Sequence, residues 1–257
     1  MSELDQKRMW EINRSGWDTV APTFYGAAAL PTYGPLAPTE EDMHLLGDVQ
    51  GKAIVEIGCG SGHSLLYLAQ HGATDLWGID LSTKQIEFAR DLLQANDVNA
   101  QLFNAPMEQN PGIPTEHFDL ALSLYALGWT TDLSGTLALI YSYLKPGGAY
   151  VFSWEHPVYT CLGYADGHVI VKGRYHEQTI FKPSWENVPI VMHQRKMSTF
   201  INAAVGVGFQ IERLEEGEVN RARASEADYA PERWYSVPRA EHIPTTFILK
   251  LRKPLQR

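Results

Sequence analysis

The sequence predicts an α/β fold with a doubly wound, mostly parallel β-sheet, and two observations support this prediction. First, between residues 51 and 155 short apolar runs alternate with segments whose apolar residues recur at helical spacing. Second, the run "HFDLALSLYAL" is nearly continuous in apolar residues, as is typical of a strand that helices cover on both faces.

Seven strands are predicted in chain order: "KAIVEIG", "TDLWGID", "AQLFNA", "HFDLALSLYAL", "AYVFSWEH", "FQIERLEE" and "TTFILKLRK". The predicted helices are residues 3–20, "HSLLYLAQHG", "STKQIEFARDLLQAND", "DLSGTLALIYSYL" and "STFINAAVGVG". Ser82 and Gln85 have the spacing of a capping box, which places a helix start just after the second strand. "KPGG" predicts a turn before the fifth strand.

Two segments depart from this alternation. Residues 1–50 combine a helix with a loop rich in Pro, Gly and Ala, and we expect them to form an N-terminal lid on a core of residues 51–257. Residues 157–194 are aromatic and rich in turn signals, which indicates an inserted cap. Within it, "HVIVKGRY" and "QTIFKP" predict a small hairpin.

Composition excludes several classes of protein. A net charge of -9 argues against nucleic-acid or anionic-membrane partners. Two cysteines and no CxxC pattern argue against a disulfide framework, and we expect no metal. The sequence contains neither an apolar run of roughly 18 residues nor a signal-peptide pattern, so we expect a cytoplasmic protein. The oligomeric state is not predicted.

The stretch "VEIGCGSG" (residues 55–62) is the clearest candidate site. A strand, a glycine-rich loop and a helix place backbone N–H groups at one point, where a ligand can approach closely. Glu56 precedes the loop and Asp80 ends the next strand. A carboxylate at Asp80 can accept hydrogen bonds from a ribose diol. Glu56 is poorly placed for a pyrophosphate and suits a positively charged group.

These features resemble motif I of the class I S-adenosylmethionine-dependent methyltransferases, in the small-molecule branch. The resemblance continues through "GIDLS", "FNAPME", "FDLALSLYALGW" and "LKPGG", about residues 51–155, and more weakly through "WDTVAPTFYG" and "HQRKMSTFINAAVGVGFQIERLEE". It implies a Rossmann-like seven-stranded sheet with an antiparallel last strand. It also implies S-adenosylmethionine as cofactor and S-adenosylhomocysteine as product.

The resemblance further implies a role for each matching position. The cofactor-binding residues it implies are Glu56 at the amino group, Gly58, Cys59 and Gly60 along the methionine and ribose, Asp80 at the ribose hydroxyls, Leu81, Asn104, Ala105 and Met107 around the adenine, and Ser123 and Leu124 near the methionine end. Two positions depart from the family pattern. Asn104 stands where Asp is frequent, and Gly128 stands where His is frequent.

Three residues are candidates for acceptor chemistry. His156 follows the fifth strand at the ligand-binding edge of the sheet, although Pro157 beside it also fits a histidine that only ties down a turn. His193, with Arg195, precedes the late helix and could orient an acceptor. Tyr25 resembles the N-terminal lid residue of the family, and packing is its alternative role.

The function that the sequence favours is methyl transfer from S-adenosylmethionine to a small molecule, on an O, N, S or C atom that the sequence does not identify. Three alternatives stay open at this stage. They are a nicotinamide-dependent oxidoreductase on a similar sheet, a methyltransferase acting on nucleic acid or protein, and a non-catalytic protein that binds the cofactor. The absence of an (N/D)-P-P-(Y/F/W) motif after the fourth strand argues against methylation of a base amino group.

Overall fold

The computed structural model describes residues 5–255, apart from 182–183, 186–187, 221, 223–228 and 231–232. Its strands are Ala53–Ile57 (β1), Asp75–Asp80 (β2), Gln101–Asn104 (β3), Phe118–Leu124 (β4), Leu144–Glu155 (β5), Leu162–Ala165 (β6), His168–Val171 (β7), Ile180–Phe181 (β8), Ser184–Trp185 (β9), Val188–Pro189 (β10), Met192–His193 (β11), Gln210–Glu215 (β12) and Thr246–Arg252 (β13). Its α-helices are Gln6–Val20 (α1), Glu40–Met43 (α2), His63–Gln70 (α3), Thr83–Ala95 (α4), Leu133–Tyr143 (α5), Met197–Val207 (α6) and Val237–Ala240 (α7).

The seven predicted strands form one sheet, in the order β12-β13-β5-β4-β1-β2-β3. Strand β13 runs antiparallel to both of its neighbours, and the other pairings are parallel. The predicted Rossmann-like fold with an antiparallel last strand is therefore confirmed. The strand order reverses between β1 and β4, which opens a crevice at the carboxyl ends of these two strands.

Both faces of the sheet are covered, which explains the nearly continuous apolar strands. Val55 of β1 faces a cluster with residues of α5 and α6, whereas its neighbour Ile54 faces a cluster with residues of α3 and α4. Both side chains are fully buried. Alternate residues of a strand point to opposite faces, so a strand buried on both sides needs apolar residues at every position. No helix in the described part of the chain is long and apolar enough to cross a membrane.

Two local predictions are wrong. The "KPGG" turn is not a break before the fifth strand but part of β5, where the pairing with β4 shifts register. Gly147 has φ +81° at this point, and its N–H donates to the carbonyl of Lys253 at 2.8 Å. Hydrogen bonds to the residue after β13 thus continue the strand through a stretch that local turn propensity favours breaking.

The predicted hairpin of the inserted segment also has different partners. "HVIV" (β7) pairs with the preceding strand β6, and β8 pairs with β11. Asp166 and Gly167 both have positive φ, +51° and +77°, and they form the two-residue turn between β6 and β7. Asp-Gly between two strands is a strong hairpin signal, and it is visible in the sequence "YADGHV".

Helix α1 joins the inserted segment through buried hydrogen bonds; residues 3 and 4 of its predicted range lie outside the described residues. The Asn13 side chain donates to the carbonyl of Val191 at 2.8 Å and accepts from its N–H at 2.7 Å. A Cβ added at Gly16 would lie 2.9 Å from Cγ2 of Ile190, so helix and segment approach closely. On another side, Asp18 accepts from the Ser82 hydroxyl at 2.6 Å and the Lys84 N–H at 3.1 Å. The helix therefore contacts both the inserted segment and the start of α4.

Glu40 organises the chain before β1. Its buried carboxylate accepts hydrogen bonds from the Tyr33 hydroxyl and from the N–H groups of Leu45 (3.0 Å) and Leu46 (2.9 Å). Burial is the largest cause that raises the pKa of Tyr33, and the Glu40 charge adds to it. The carboxylate thus fixes the loop on each side of α2.

We predict that Glu40→Ala lowers the free energy of unfolding by about 3–5 kcal/mol, because it leaves three buried donors without an acceptor. Urea unfolding monitored by circular dichroism measures this. Glu41→Ala on the exposed face of the same helix is the matched control and should change stability by less than about 0.5 kcal/mol. Equal effects of the two substitutions would contradict the role assigned to Glu40.

Candidate active site

The glycine loop lies in the crevice where the strand order reverses. The N–H groups of Gly58 and Cys59 donate to the carbonyl of Ile79 at 2.8 and 3.0 Å, so the loop folds back over β2. Gly58 has φ +77°, and a Cβ there would lie 2.3 Å from the Cβ of Ala126. At Gly60 a Cβ would meet only Oε1 of Gln85, at 3.8 Å. The loop therefore packs tightly against the end of β4 at Gly58 and less tightly at Gly60.

Gly62 allows two helices to approach each other closely. A Cβ there would lie 3.1 Å from the Cβ of Ala89, which belongs to α4. The glycine thus allows helix α3 to approach helix α4, rather than a strand. The adjacent Ser61 hydroxyl donates to Oε1 of Gln85, which ties the loop to the same helix.

Asp80 connects the glycine loop to helix α4. One carboxylate oxygen accepts from the N–H of Gly60 at 2.9 Å, and the other accepts from the N–H of Ser82 at 2.8 Å. Burial raises the pKa of Asp80 to about 6, although these two hydrogen bonds oppose the shift. Ser82 in turn caps α4 by accepting from the Gln85 N–H at 3.1 Å, which confirms the predicted helix start. The Gln85 side chain bonds Ser61, so only half of the capping box forms.

Glu56 is a buried acid below the loop. It is 2% exposed, and within the described residues its Oε2 atom has no hydrogen-bond partner. Burial raises its pKa to about 8; the Ser64 hydroxyl opposes the shift and the Asp80 charge adds to it. A buried carboxylate oxygen without a donor is costly unless a ligand supplies one. This oxygen therefore fits a donor group such as an ammonium.

Asn104 holds the ends of β2 and β3 together. Its amide nitrogen donates to the carbonyls of Asp80 (3.1 Å) and Leu81 (2.9 Å), and its oxygen accepts from the Thr83 hydroxyl at 2.9 Å. The N–H of Ala105 also donates to the Asp80 carbonyl at 3.0 Å. An ionised aspartate, the residue frequent at this position, could not donate to these carbonyls. The Asn104 amide therefore supplies two hydrogen bonds between the ends of β2 and β3 that an aspartate would not make.

The remaining predicted cofactor residues surround the same crevice. A Cβ at Gly58 would lie 3.9 Å from Cε of Met107, which places Met107 beside the loop. The Ser123 hydroxyl is buried and donates to the Ile57 carbonyl at 2.9 Å, which joins the ends of β4 and β1, and Leu124 follows it. Burial raises the pKa of the Cys59 thiol well above its usual value, and its Sγ packs toward Gly78 of β2. A buried, protonated thiol fits packing rather than nucleophilic chemistry.

The space next to Gly128 is filled by an indole ring. A Cβ at Gly128 would lie 1.7 Å from Trp154, so no larger residue fits there without moving that ring. Trp129 stands edge-on between Trp17 of α1 and Trp154 of β5, with ring centroids 5.3 and 5.4 Å apart. The Trp154 ring therefore occupies the space that the frequent histidine would need at position 128. This ring belongs to an aromatic wall that runs from α1 to β5.

The three candidates for acceptor chemistry occupy different surroundings. His156 is buried; its Nε2 lies 2.7 Å from Glu216, and its Nδ1 accepts from the Val158 N–H at 3.2 Å. Both ring nitrogens are engaged, which fits a histidine that ties down the turn.

His193 is half-buried, and burial and the Arg195 charge lower its pKa. Tyr25 is 49% exposed and packs on the Phe88 ring, with centroids 4.6 Å apart.

Arg195 is committed to backbone rather than to the crevice. Its guanidinium donates to the carbonyls of Gly128, at 3.0 Å, and Thr130. It therefore fixes the loop after β4.

Sequence reasoning missed a chain of polar groups beyond β5. Glu155 is 5% exposed and accepts from the Trp234 indole N–H at 2.7 Å and from the Tyr235 hydroxyl. The hydroxyl oxygens of Tyr235 and Tyr125 lie 2.6 Å apart. Tyr125 follows β4 directly, with φ +54°. The sequence signal was Glu155 at the end of a predicted strand; its tyrosine partner lies 80 residues away and could not be predicted.

The described residues contain no group of three or more His, Cys, Asp or Glu side chains that could hold a metal ion. The site is therefore best described by its glycine loop, its two acids and its aromatic wall.

Comparisons with known proteins agree with this geometry. Residues 54–148 match the family described as a methyltransferase domain. A solved S-adenosylmethionine-dependent methyltransferase from Mesorhizobium loti superposes with a TM-score of 0.71 at 29% identity, covering 82% of this chain and 94% of that one. A Haemophilus influenzae protein is 29% identical over 188 residues, 68% of this chain and 73% of its own length. The ubiquinone biosynthesis O-methyltransferase of Bordetella avium is 29% identical over 109 residues, which are 42% of this chain and 45% of that enzyme.

We predict that Glu56 makes the stability of the ligand-free protein fall as the pH rises from about 5 to about 8. The pKa of Glu56 is about 8 in the folded chain against 4.5 in the unfolded one. The folded state therefore binds more protons between these values, and its stability falls as they are removed. Urea unfolding at a series of pH values measures the slope, and Glu56→Gln should reduce it. Asp80, whose pKa is raised to about 6, leaves a smaller slope of the same sign.

Glu87→Gln is the matched control for this experiment, because Glu87 is exposed on α4 and pairs with the exposed Lys84. It should leave the pH slope as in the unmodified protein. A Glu56→Gln variant with an unchanged slope would contradict the buried, protonated state assigned to Glu56.

Proposed function

Because this chain is a class I methyltransferase that uses S-adenosylmethionine, we propose that it transfers the methyl group to a small organic molecule. The observation on which the proposal depends most is the pair of acids around the glycine loop. Glu56 offers a buried oxygen that has no donor among the described residues, and Asp80 offers a carboxylate at the end of the neighbouring strand. A nicotinamide-dependent oxidoreductase is no longer supported, because the cofactor of this family is S-adenosylmethionine.

The residues of the crevice fit this cofactor. We assign the amino group to Glu56, because its Oε2, which lacks a partner in the described part of the chain, matches a positively charged donor. We assign the ribose diol to Asp80, whose oxygens already accept two N–H groups and can accept further donors. When bound, the cofactor supplies an activated methyl group on a positively charged sulfur.

The surroundings of the crevice support a small acceptor. Trp17 of α1, Trp129 after β4 and Trp154 of β5 form a continuous aromatic wall. Helix α1 and the inserted segment cover this region and are joined by Asn13 and Val191. Such a cover can exclude water and align the acceptor, which is most of what methyl transfer needs from a protein. The net charge of -9 is unfavourable for binding to nucleic acid.

Some of the relatives are named for small acceptors, although a ribosomal protein L11 methyltransferase from Tolumonas auensis matches as well. The Bordetella enzyme is named for O-methylation in ubiquinone biosynthesis. The match is restricted to less than half of that enzyme, so it supports the cofactor half of the proposal more than the acceptor.

We predict that the purified protein transfers labelled methyl groups from S-adenosylmethionine to a component of a low-molecular-weight cell extract. Mass identification of the labelled product names the acceptor. The same assay is run on protein, RNA and DNA fractions of the extract as controls. Label in a macromolecular fraction would contradict a small acceptor. Tight cofactor binding with no label in any fraction would contradict catalysis and favour a binding protein.

We predict that Asp80→Asn weakens S-adenosylhomocysteine binding roughly 10- to 100-fold, because charge-assisted hydrogen bonds contribute about 1.5–3 kcal/mol each. Isothermal titration calorimetry measures the dissociation constant. Asn keeps an acceptor for the Gly60 N–H, so the loop should survive. Asp91→Asn, on α4, is the control and should bind as the unmodified protein does. Unchanged affinity in Asp80→Asn would refute the assignment of the ribose to this residue.

A further inference from the structure

The polar chain behind the aromatic wall has a defined direction. Each tyrosine hydroxyl carries one proton. Tyr235 gives its proton to the Glu155 carboxylate, so the hydrogen bond of 2.6 Å between the two hydroxyls is donated by Tyr125. Tyr125 has then used its only donor, and its oxygen keeps lone pairs that can accept from another molecule. The chain therefore ends, at Tyr125, in a hydrogen-bond acceptor.

Tyr125 directly follows β4, at the carboxyl edge of the sheet where the glycine loop also lies. It precedes Ala126, whose Cβ blocks the space above Gly58 of the cofactor loop. Its side chain is half-buried, and its ring lies 5.2 Å from that of Trp154. Its backbone holds the left-handed conformation, with φ +54°, and its N–H donates to the Ser153 hydroxyl at 3.0 Å. A strained tyrosine fixed from several sides is expected where its position matters for function.

The N-terminal segment holds the same ring from above. A Cβ at Gly34 would lie 2.7 Å from the Tyr125 ring, so the backbone of this segment rests on it. The tyrosine therefore has one fixed orientation, with its hydroxyl aimed at Tyr235.

Glu155 accepts the last hydrogen bond of this chain of polar groups. It is the last residue of β5, and the groups that face it come from several elements: Tyr125 after β4, Tyr159, and Trp234, Tyr235 and Arg239 near α7. Burial raises its pKa, and the two hydrogen bonds and the Arg239 charge oppose the shift. Arg239 is itself held by the carbonyls of Tyr159 and Leu162, at 3.1 and 2.9 Å.

We propose that Tyr125 accepts the proton of an acceptor hydroxyl group during methyl transfer and passes its own proton through Tyr235 to Glu155. The acceptor class is a small molecule with a weakly acidic hydroxyl, such as a phenol or an enol. This proposal rests on the proposed function. Tyr125 is the residue that contacts the acceptor, and Tyr235 and Glu155 are positioning residues that act through it. His156 cannot fill this role, because both of its nitrogens are engaged.

The step balances in atoms and charge. The acceptor oxygen bonds the methyl carbon as the carbon–sulfur bond breaks and its electron pair returns to sulfur. The hydroxyl proton moves to Tyr125, the Tyr125 proton to Tyr235, and the Tyr235 proton to the Glu155 carboxylate. The positive charge of the cofactor and the negative charge of Glu155 disappear together. A carboxylate is a weak base, so an acidic hydroxyl suits this chain better than an alkyl alcohol.

The closing experiment measures labelled-methyl transfer to the low-molecular-weight extract, with S-adenosylmethionine saturating, from pH 5 to pH 9. Tyr125→Phe, Tyr235→Phe and Glu155→Gln should each lower the rate about 100-fold. The Glu155→Gln, Tyr235→Phe double variant should lose no more than either single variant, because one chain is cut twice. The unmodified rate should fall as Glu155 is protonated at low pH, and Glu155→Gln should lose this limb. Product analysis should find the methyl group on oxygen.

Tyr159→Phe is the matched control. Its hydroxyl lies in the same aromatic cluster and bonds the Trp234 carbonyl (2.9 Å) and the Ser236 N–H (3.3 Å), outside the chain. It should lower stability and leave the pH profile unchanged. Calorimetry with S-adenosylhomocysteine should give the same affinity for all variants.

An infrared titration of the ligand-free protein supplies a readout apart from activity. The protonated-carboxyl band of Glu155, identified by its loss in Glu155→Gln, should appear at higher pH in Tyr235→Phe and at the usual pH in Tyr159→Phe.

Two results would overturn the inference alone: transfer with an unchanged pH profile in Glu155→Gln, or equal losses in Tyr159→Phe and Tyr235→Phe. Cofactor binding without any transfer by the unmodified protein would overturn it together with the proposed function. Loss of cofactor affinity in Tyr125→Phe would assign that residue to the cofactor instead.

Discussion

The site depends on one carboxylate bridge, from Asp80 to the N–H groups of Gly60 and Ser82. This bridge joins the loop after β1 to the start of α4. The conformation of the glycine loop therefore depends on the position of the carboxyl end of β2. Ser82 extends the bridge to Asp18 of α1, and Asn104 secures the carbonyls of the same turn. The loop, the helix start and the N-terminal helix are therefore positioned by a single short segment of chain.

Three buried glutamates illustrate how the surroundings of one side chain select its use. Glu40 accepts from three donors and fixes a loop. Glu56 keeps one oxygen without a donor in the described structure, which suits a ligand. Glu155 is satisfied by hydroxyl and indole donors, and one of these leads to a second hydroxyl at the crevice. The three residues are of the same type, so their different roles follow from the hydrogen-bond donors that surround each carboxylate.

The sequence was sufficient for features set by local pattern. The seven strands follow apolar runs, and the glycine loop with Glu56 and Asp80 follows from spacing. The features that escaped prediction join residues far apart in the chain: Asn13 with Val191, and Tyr125 with Tyr235 and Glu155. Gly128 could be seen to lack a side chain, but the indole that replaces it comes from another strand. The β6–β7 hairpin is a different case, because its Asp-Gly turn was readable and was overlooked.

The buried amide of Asn13 has a consequence for how such a protein can diversify. Asn13 in helix α1 and Val191 in the inserted segment are 178 residues apart, yet each completes the hydrogen bonds of the other in a buried contact. Both partners of Asn13 are backbone groups, so the side chain at position 191 can change while this contact is kept. The inserted segment can therefore vary in sequence, provided that its backbone at residue 191 stays in place beside the asparagine.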